Sequence, residues 1–125
     1  MAKEKETVMG FEKFIRSSAL LSAEVALSNV MSRHILFKYM KVGKTVQKLT
    51  ERYNQDYKDD YDNIELLYDG GTDGALIDWL EEEMIKHSHQ TYGDKCKNEI
   101  EGGGPKCKDN ATEENTAKVY VVYKD

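Results

Sequence analysis

The chain has 125 residues, of which 39% are apolar and 33% charged, with one proline, two cysteines and a net charge of −5. A chain of this length forms one domain with a modest core, and its composition excludes collagen-like and disulfide-dense classes. Nucleic-acid-binding proteins usually present a basic surface, so the net acidity predicts no direct nucleic-acid binding.

The sequence also gives no sign of membrane targeting. No segment reaches the roughly 18 consecutive apolar residues of a membrane-spanning helix. The best candidate for the apolar part of a signal peptide, residues 19–27, is interrupted by Glu24. We therefore expect a soluble, intracellular protein, or a virion component if the source is viral, with no membrane partner.

Charge is distributed unevenly along the chain. Residues 1–50 carry a net charge of +5, residues 51–83 a net charge of −10, and residues 84–125 are balanced. Such a division favours either internal pairing between the two charged segments or an acidic surface that suits a basic partner.

The first fifty residues read as a flexible N-terminus, 1–8, followed by one long helix from Met9 to about Val42. Apolar residues recur at steps of three and four, as expected for one helix face: Leu20, Ala23, Leu27, Met31 and Ile35. Small residues at 18, 22 and 26 form a second stripe that would let another helix approach closely. The run 35–40 is also compatible with a buried strand, but continuity favours helix.

Gly43 is the natural end of this helix, as a residue that adopts a left-handed conformation. A second helix is then predicted from about Lys44 to Tyr68, again from steps of three or four. The Gly-rich sequence 69–74 predicts a turn, and Asp73 is a suitable N-cap for a third helix from Gly74 to about His87.

Composition changes after the third helix. Residues 90–116 are rich in Gly, Lys, Asn and Glu and read as a polar loop, whereas Ala117–Tyr123 is β-branched and aromatic and reads as a strand. That strand would pair within a hairpin at 90–108, with the N-terminal segment, or with another chain. The predicted fold is mainly α: a long antiparallel helical hairpin and a short third helix in a domain at 9–89, then an irregular extension at 90–125 containing a short β-strand or hairpin.

Metal and redox chemistry have one set of candidates, namely His87, His89, Cys96 and Cys107. Their spacing lacks the paired CxxC pattern of a strong zinc site, so we expect no bound metal and treat the four only as candidate ligands. A Gly-rich turn between the cysteines would also allow a disulfide between Cys96 and Cys107 in an oxidising compartment.

Catalytic motifs are missing. Gly43-Lys44-Thr45 matches the end of a phosphate-binding loop, but Lys38 occupies the position where that motif requires its first glycine. Residues 54–65 have the length of an EF-hand loop and end in Glu, yet Asp59 stands where that loop needs glycine. The sequence therefore predicts no enzyme and no cofactor.

The most informative local pattern is a tyrosine repeat. Tyr53, Tyr57 and Tyr61 would lie on one helix face, flanked by acids. Such a stripe is either core or an exposed partner interface, since Tyr is a favoured interface anchor. The predicted partner interface comprises Tyr53, Tyr57, Tyr61, Asp56, Asp59 and Asp60.

These observations favour a small non-enzymatic protein–protein interaction module that binds a protein partner or itself, as a component of a larger assembly of the phage or virion type. One alternative is an acidic inhibitor that mimics nucleic acid in the basic groove of a partner. Another is a small metal-binding or redox protein that uses Cys96 and Cys107.

Overall fold

The computed structural model describes residues 2–99 and 104–125, with side chains in the first helix from Gly10 onward. The elements, in chain order, are α1 (Ala2–Ser32), β1 (Tyr39–Thr45), α2 (Leu49–Asp56), β2 (Asn63–Asp69), α3 (Gly74–Tyr92) and β3 (Lys118–Lys124). A 3₁₀ turn, Gly93–Lys95, follows α3. The three strands form an antiparallel sheet in the order β1-β3-β2, so the last strand lies in the centre.

The central strand β3 explains why its sequence is apolar without interruption. Every residue from Val119 to Tyr123 is buried, because both faces of the sheet are covered. Val119, Val121 and Tyr123 face the main core formed with α1 and α3. Tyr120 and Val122 face the opposite side, where they pack with Tyr57 in a second, smaller cluster under α2.

The predicted helical hairpin is wrong, since the protein is an α+β fold built on this sheet. The first helix ends at Ser32, and residues 39–42, which were expected to complete it, belong to the edge strand β1. The apolar residues predicted to share one helix face do form the buried face of α1, where Ala19, Ala23 and Leu27 are fully buried. The same spacing cannot distinguish a helix from a strand over the short apolar run that follows, and pairing with β3 decides in favour of the strand.

The predicted second helix, 44–68, is also wrong. The structure divides it into the end of β1, the eight-residue α2 and the strand β2. The tyrosine repeat has the spacing of one helix, but its three residues lie in different parts of the chain and pack into the same cluster. Tyr53 lies in α2, Tyr57 follows its end, and Tyr61 lies in the turn before β2.

The third helix and the terminal strand are where the sequence predicts them. The Asp73 side chain accepts a hydrogen bond from the Leu76 backbone N–H at 3.1 Å, so it caps α3 as expected, although the helix continues to Tyr92. The partners of the terminal strand were not predicted, since β3 pairs with β1 and β2. Residues 100–103 of the expected hairpin lie outside the described residues. Within the part of the chain that is described, no helix is apolar enough over a sufficient length to cross a bilayer.

Candidate functional site

A cavity of about 460 Å³ opens beside the edge strand β1. Side chains from five separate parts of the chain line it: Lys44 from β1, Arg52 and Tyr57 from α2 and its end, Glu81 from α3, Asn98 from the segment after the 3₁₀ turn, and Tyr120 from β3. Because these residues are far apart in sequence, no local motif could predict the cavity.

The floor of the cavity contains a buried ion cluster. The Lys44 Nζ atom lies 3.1 Å from Asp78 Oδ1 and 3.3 Å from Glu81 Oε1, and all three side chains are at least nine-tenths buried. The two carboxylates are one helical turn apart on α3, which places both against the same lysine. Burial alone would lower the pKa of Lys44, but Glu81 and Asp78 outweigh it and raise that pKa, so the ammonium stays charged.

The two carboxylates of this cluster differ in how well they are satisfied. Asp78 accepts hydrogen bonds from the backbone N–H groups of Cys107 at 2.7 Å and Lys108 at 3.0 Å. Burial alone would raise the pKa of Asp78, but these two donors and Lys44 lower it. Asp78 is therefore a fully occupied structural carboxylate.

Glu81 is not satisfied in this way. Its Oε1 atom is buried, and the polar atom recorded beside it among the described residues is the Lys44 Nζ, 3.3 Å away; no backbone N–H group of those residues donates to it. Burial raises the pKa of Glu81, and the attraction of Lys44 offsets this only in part. Glu81 is therefore less well satisfied than Asp78, which accepts two backbone hydrogen bonds, and incomplete pairing of a buried carboxylate is costly.

A pair of tyrosines and an arginine form the opposite wall. The Tyr120 and Tyr57 hydroxyls lie 2.8 Å apart, and the Arg52 Nε–H donates to the Tyr120 hydroxyl at 3.2 Å. Arg52 also pairs with Asp56, one helical turn along α2. Burial and the neighbouring Tyr57 strongly raise the pKa of Tyr120, so its hydroxyl is neutral at physiological pH and acts as a hydrogen-bonding group.

Gly43 makes room for this wall, and its predicted role as a helix terminator is wrong. It lies within β1, directly opposite Tyr120 in β3. A Cβ atom at this position would lie only 2.3 Å from the Tyr120 Oη atom. The absence of a side chain at residue 43 therefore lets the tyrosine hydroxyl reach across the edge strand to the cavity.

Asn98 closes the exposed edge of β1. Its side-chain amide accepts a hydrogen bond from the Val42 N–H at 2.9 Å and donates one to the Val42 carbonyl at 2.8 Å. These are the bonds that a further strand would make, so Asn98 satisfies the free edge at the mouth of the cavity. Beside it, the Met40 carbonyl accepts a hydrogen bond from the Lys97 N–H at 2.9 Å.

The predicted partner interface is brought together only in part. Tyr57 is buried, and Tyr53 and Tyr61 are half-buried in the cluster under α2. The Tyr53 hydroxyl donates to the Tyr61 carbonyl at 2.6 Å, which fixes the turn after α2. Asp56, Asp59 and Asp60 are exposed, as the prediction requires. A role in binding a partner stays a prediction, whereas Tyr57 also belongs to the cavity wall.

The four metal-ligand candidates do not meet. Cys107 packs against Gly74 in the first turn of α3, while His87 and His89 lie towards its end and Cys96 follows it. A 19-residue helix is about 28 Å long, so Cys96 and Cys107 are at opposite ends of the domain, and both are free, buried thiols. Among residues 2–99 and 104–125, no three His, Cys, Asp or Glu side chains group as a metal cage.

The acidic stretch 51–83 does not act as one surface. Asp62 pairs with Lys124 at 3.0 Å, and Glu65 pairs with Arg33 at 2.9 Å. Asp78 and Glu81 both form ion pairs with Lys44. These pairs divide the acids among three regions of the molecule. The nucleic-acid-mimic alternative stays a prediction, and these contacts give it no support.

We compared the chain with known protein families, curated proteins and solved structures. No protein-family model matches the chain, and neither a curated protein nor a solved structure is significantly similar to it. The function is therefore argued from the cavity itself.

Sequence reasoning missed the cavity residues Lys44, Arg52, Glu81, Asn98 and Tyr120. Gly43 and Lys44 drew attention through a phosphate-loop motif that fails at Lys38, and as the predicted end of one helix and start of the next. One usable signal was the apolar run 119–123, which is too continuous for a strand with one exposed face and so marks a central strand. A central strand requires two partners, and the most strand-like remaining segment, 35–45, contains Lys44.

Proposed function

We propose that the cavity binds a nucleic-acid phosphodiester and hydrolyses it with the aid of a divalent cation held by Glu81. The observation that carries this proposal is that Glu81, a buried carboxylate paired with Lys44 but with no backbone donor among the described residues, lines a cavity together with basic and tyrosyl side chains. A carboxylate that only stabilised the fold would be satisfied, as its neighbour Asp78 is.

Two lysines at the cavity suit an anionic substrate. Among the described residues the lining holds four basic side chains, Lys41, Lys44, Arg52 and Lys97, and two acidic ones, Glu81 and Glu99. Lys44 and Arg52 are already paired with carboxylates, so the positive charge offered to a substrate is that of Lys41 and Lys97. Lys97 is exposed and Lys41 half-buried, so both are placed to follow a phosphate backbone that continues out of the cavity.

A single carboxylate is sufficient for the proposed cation. Mg²⁺ retains several waters and binds through one or two carboxylates together with substrate phosphate oxygens, so no preformed cage is needed. Such a cation would neutralise charge that develops on the phosphate during cleavage. Glu81 is the residue that would hold it, in exchange for the contact that its Oε1 atom makes with the Lys44 ammonium.

The remaining cavity residues have roles that follow from their contacts. Arg52 is fixed by Tyr120 and Asp56, so its guanidinium charge faces the cavity at a defined position. A positioned arginine suits the planar, two-point recognition of a phosphate. The neutral Tyr120 hydroxyl holds the Arg52 side chain, and the Lys44 ammonium would contribute positive charge near the phosphate.

The proposal departs from the expectation of a non-enzymatic protein. That expectation was based on the absence of a local catalytic motif, whereas this site combines residues that are far apart between Lys41 and Tyr120.

The test is cleavage of end-labelled single-stranded and double-stranded DNA and RNA oligonucleotides with Mg²⁺ or Mn²⁺. We expect cleavage that EDTA abolishes, and a loss of at least about 100-fold in the Glu81→Gln variant, the scale of removing one charge-stabilising group. Glu83→Gln is the matched control, because Glu83 lies on the same helix outside the cavity and contacts Lys86.

A parallel titration with Mn²⁺ separates binding from chemistry. We expect the wild-type protein and Glu83→Gln to bind Mn²⁺, with binding lost in Glu81→Gln while the circular dichroism spectrum is unchanged. Wild-type protein that cleaves none of the four substrates with either cation, or cleavage that survives in Glu81→Gln, would contradict the proposal.

A further inference from the structure

The first helix has two apolar faces, of which one is buried in the core and the other is exposed. The inner face, with Ala19, Ala23 and Leu27 fully buried, packs against β2 and α3. At 100° per residue, the outer face points to the opposite side of the helix. Its large side chains are substantially exposed: Phe11 64%, Phe14 66%, Leu21 63% and Val25 51%.

This outer face has the spacing of a helix-pairing seam. Phe11, Phe14, Leu21 and Val25 are separated by three, seven and four residues, and Ser18 occupies the position that divides the step of seven into four and three. Alternating steps of three and four are the repeat by which two helices interlock their side chains. A helix that only covered its own core would need one apolar face, not two.

The outer face carries no charge. Between Gly10 and Ser32, the positions beside and between the four large residues on this face are serines, together with Gly10 and Asn29. One third of the whole chain is charged, so a strip without charge along most of the longest helix is unusual for a surface that remains in water. It also offers nothing to a nucleic acid or to an acidic or basic protein, which bind through charge.

We propose that this face pairs with the same face of a second copy of the chain, with the two helices antiparallel. An uncharged strip of large and small side chains is complementary to itself, because the larger residues near one end of the strip can lie against the smaller ones near its other end. Antiparallel packing about Ser18 places Phe11 and Phe14 against the smaller Val25 and Leu21 of the partner. A two-fold axis of this kind closes the assembly at two copies.

The available area predicts a weak dimer. Each phenylalanine is about two-thirds exposed, and an aromatic side chain can bury roughly 150–250 Å². The four phenylalanines of a dimer therefore contribute on the order of 500 Å². The leucines, valines and serines bring the total close to the roughly 1,000 Å² at the lower limit of specific interfaces. We therefore expect dissociation in the micromolar range, with dimers at high protein concentration only.

Sedimentation velocity over a concentration series of the full chain tests the proposal. We expect the wild-type protein to pass from monomer to dimer by about 100 µM. Leu21→Glu should remain monomeric across the series, with an unchanged melting temperature because residue 21 faces solvent in the monomer. The matched control, Lys13→Glu, places the same new charge on an exposed position away from the seam and should still dimerise.

Orientation is tested with single cysteines. A mixture of Phe11→Cys and Val25→Cys proteins should form mixed disulfide dimers if the helices are antiparallel, whereas a parallel pair would favour disulfides between two copies of Phe11→Cys. Wild-type protein that stays monomeric at about 100 µM, dimers that persist in Leu21→Glu, or a monomer that binds phosphatidylcholine vesicles through this face would each overturn the proposal.

Discussion

Replacing Lys44 by methionine tests the electrostatics of the cavity floor. The change keeps most of the side-chain volume but removes the only cation in contact with the buried Asp78 and Glu81 among the described residues. Asp78 retains its two backbone hydrogen bonds, so its carboxylate remains satisfied. Glu81 retains no charged partner among the described residues, so the lost stabilisation concerns mainly this carboxylate.

The magnitude follows from the burial of all three groups. Removing one partner of a buried ion pair costs about 3–5 kcal/mol, because an uncompensated charge is left behind. For a domain of this length, that corresponds to a decrease in melting temperature of roughly 10–20 °C near neutral pH. An exposed lysine outside any such cluster, Lys58, provides the matched control, and Lys58→Met should change the melting temperature by no more than a few degrees.

The deficit should depend on pH with a definite sign. Burial already raises the pKa of Glu81, and removal of Lys44 raises it further. A carboxyl whose pKa is higher in the folded state favours folding below its unfolded pKa of about 4.3, and this contribution is lost as the pH rises through the folded value. The difference in unfolding free energy between wild type and Lys44→Met should therefore be smallest near pH 4–5 and largest at pH 7–8.

Urea unfolding followed by circular dichroism at pH 4.5 and 7.5 measures both quantities. The double variant Lys44→Met/Glu81→Gln should regain part of the lost stability at pH 7.5, because the carboxylate left without a cation is gone. A Lys44→Met protein within about 1 kcal/mol of wild type at pH 7.5, or a deficit that grows as the pH falls, would refute this account of the cluster.

Three further changes test other parts of the structure. Gly43→Ala should cost about 1–3 kcal/mol and reduce oligonucleotide cleavage, since its methyl group collides with the Tyr120 hydroxyl; urea unfolding and the cleavage assay measure the two effects. Asn98→Ala should cost about 1–3 kcal/mol and speed amide exchange in β1, because the strand edge loses both of its side-chain bonds. Burial raises the pKa of Cys107 to about 11, so a disulfide reagent at pH 8 should react with this thiol far more slowly in the native than in the unfolded protein.

The elements that the sequence predicted correctly are those with local signals. Asp73 caps α3 through its own side chain, and the Gly-rich turn before it needs no distant partner. The apolar run of β3 is long enough to be recognised as a strand. In α1, the apolar stripe is correct because the helix packs against the core along its length.

The errors lie where local patterns were compatible with two structures. Residues 39–45 form a strand only because β3, almost eighty residues later, offers its edge for pairing. The tyrosine repeat has helical spacing, yet its residues reach one cluster from a helix, a turn and the segment between them. Helix propensity is worth a few tenths of a kcal/mol per residue, which strand pairing and burial readily override.

The sequence by itself therefore determined a small acidic domain with a capped helix, a long amphipathic helix and a terminal strand, because each depends on neighbouring residues. The tertiary structure alone decided that this strand lies in the centre of a sheet, and so which residues surround the cavity. Lys44, Glu81 and Tyr120 line one cavity because β1 pairs with β3 and packs against α3. The chemistry of the site depends on burial and on distances between remote residues, which no local pattern records.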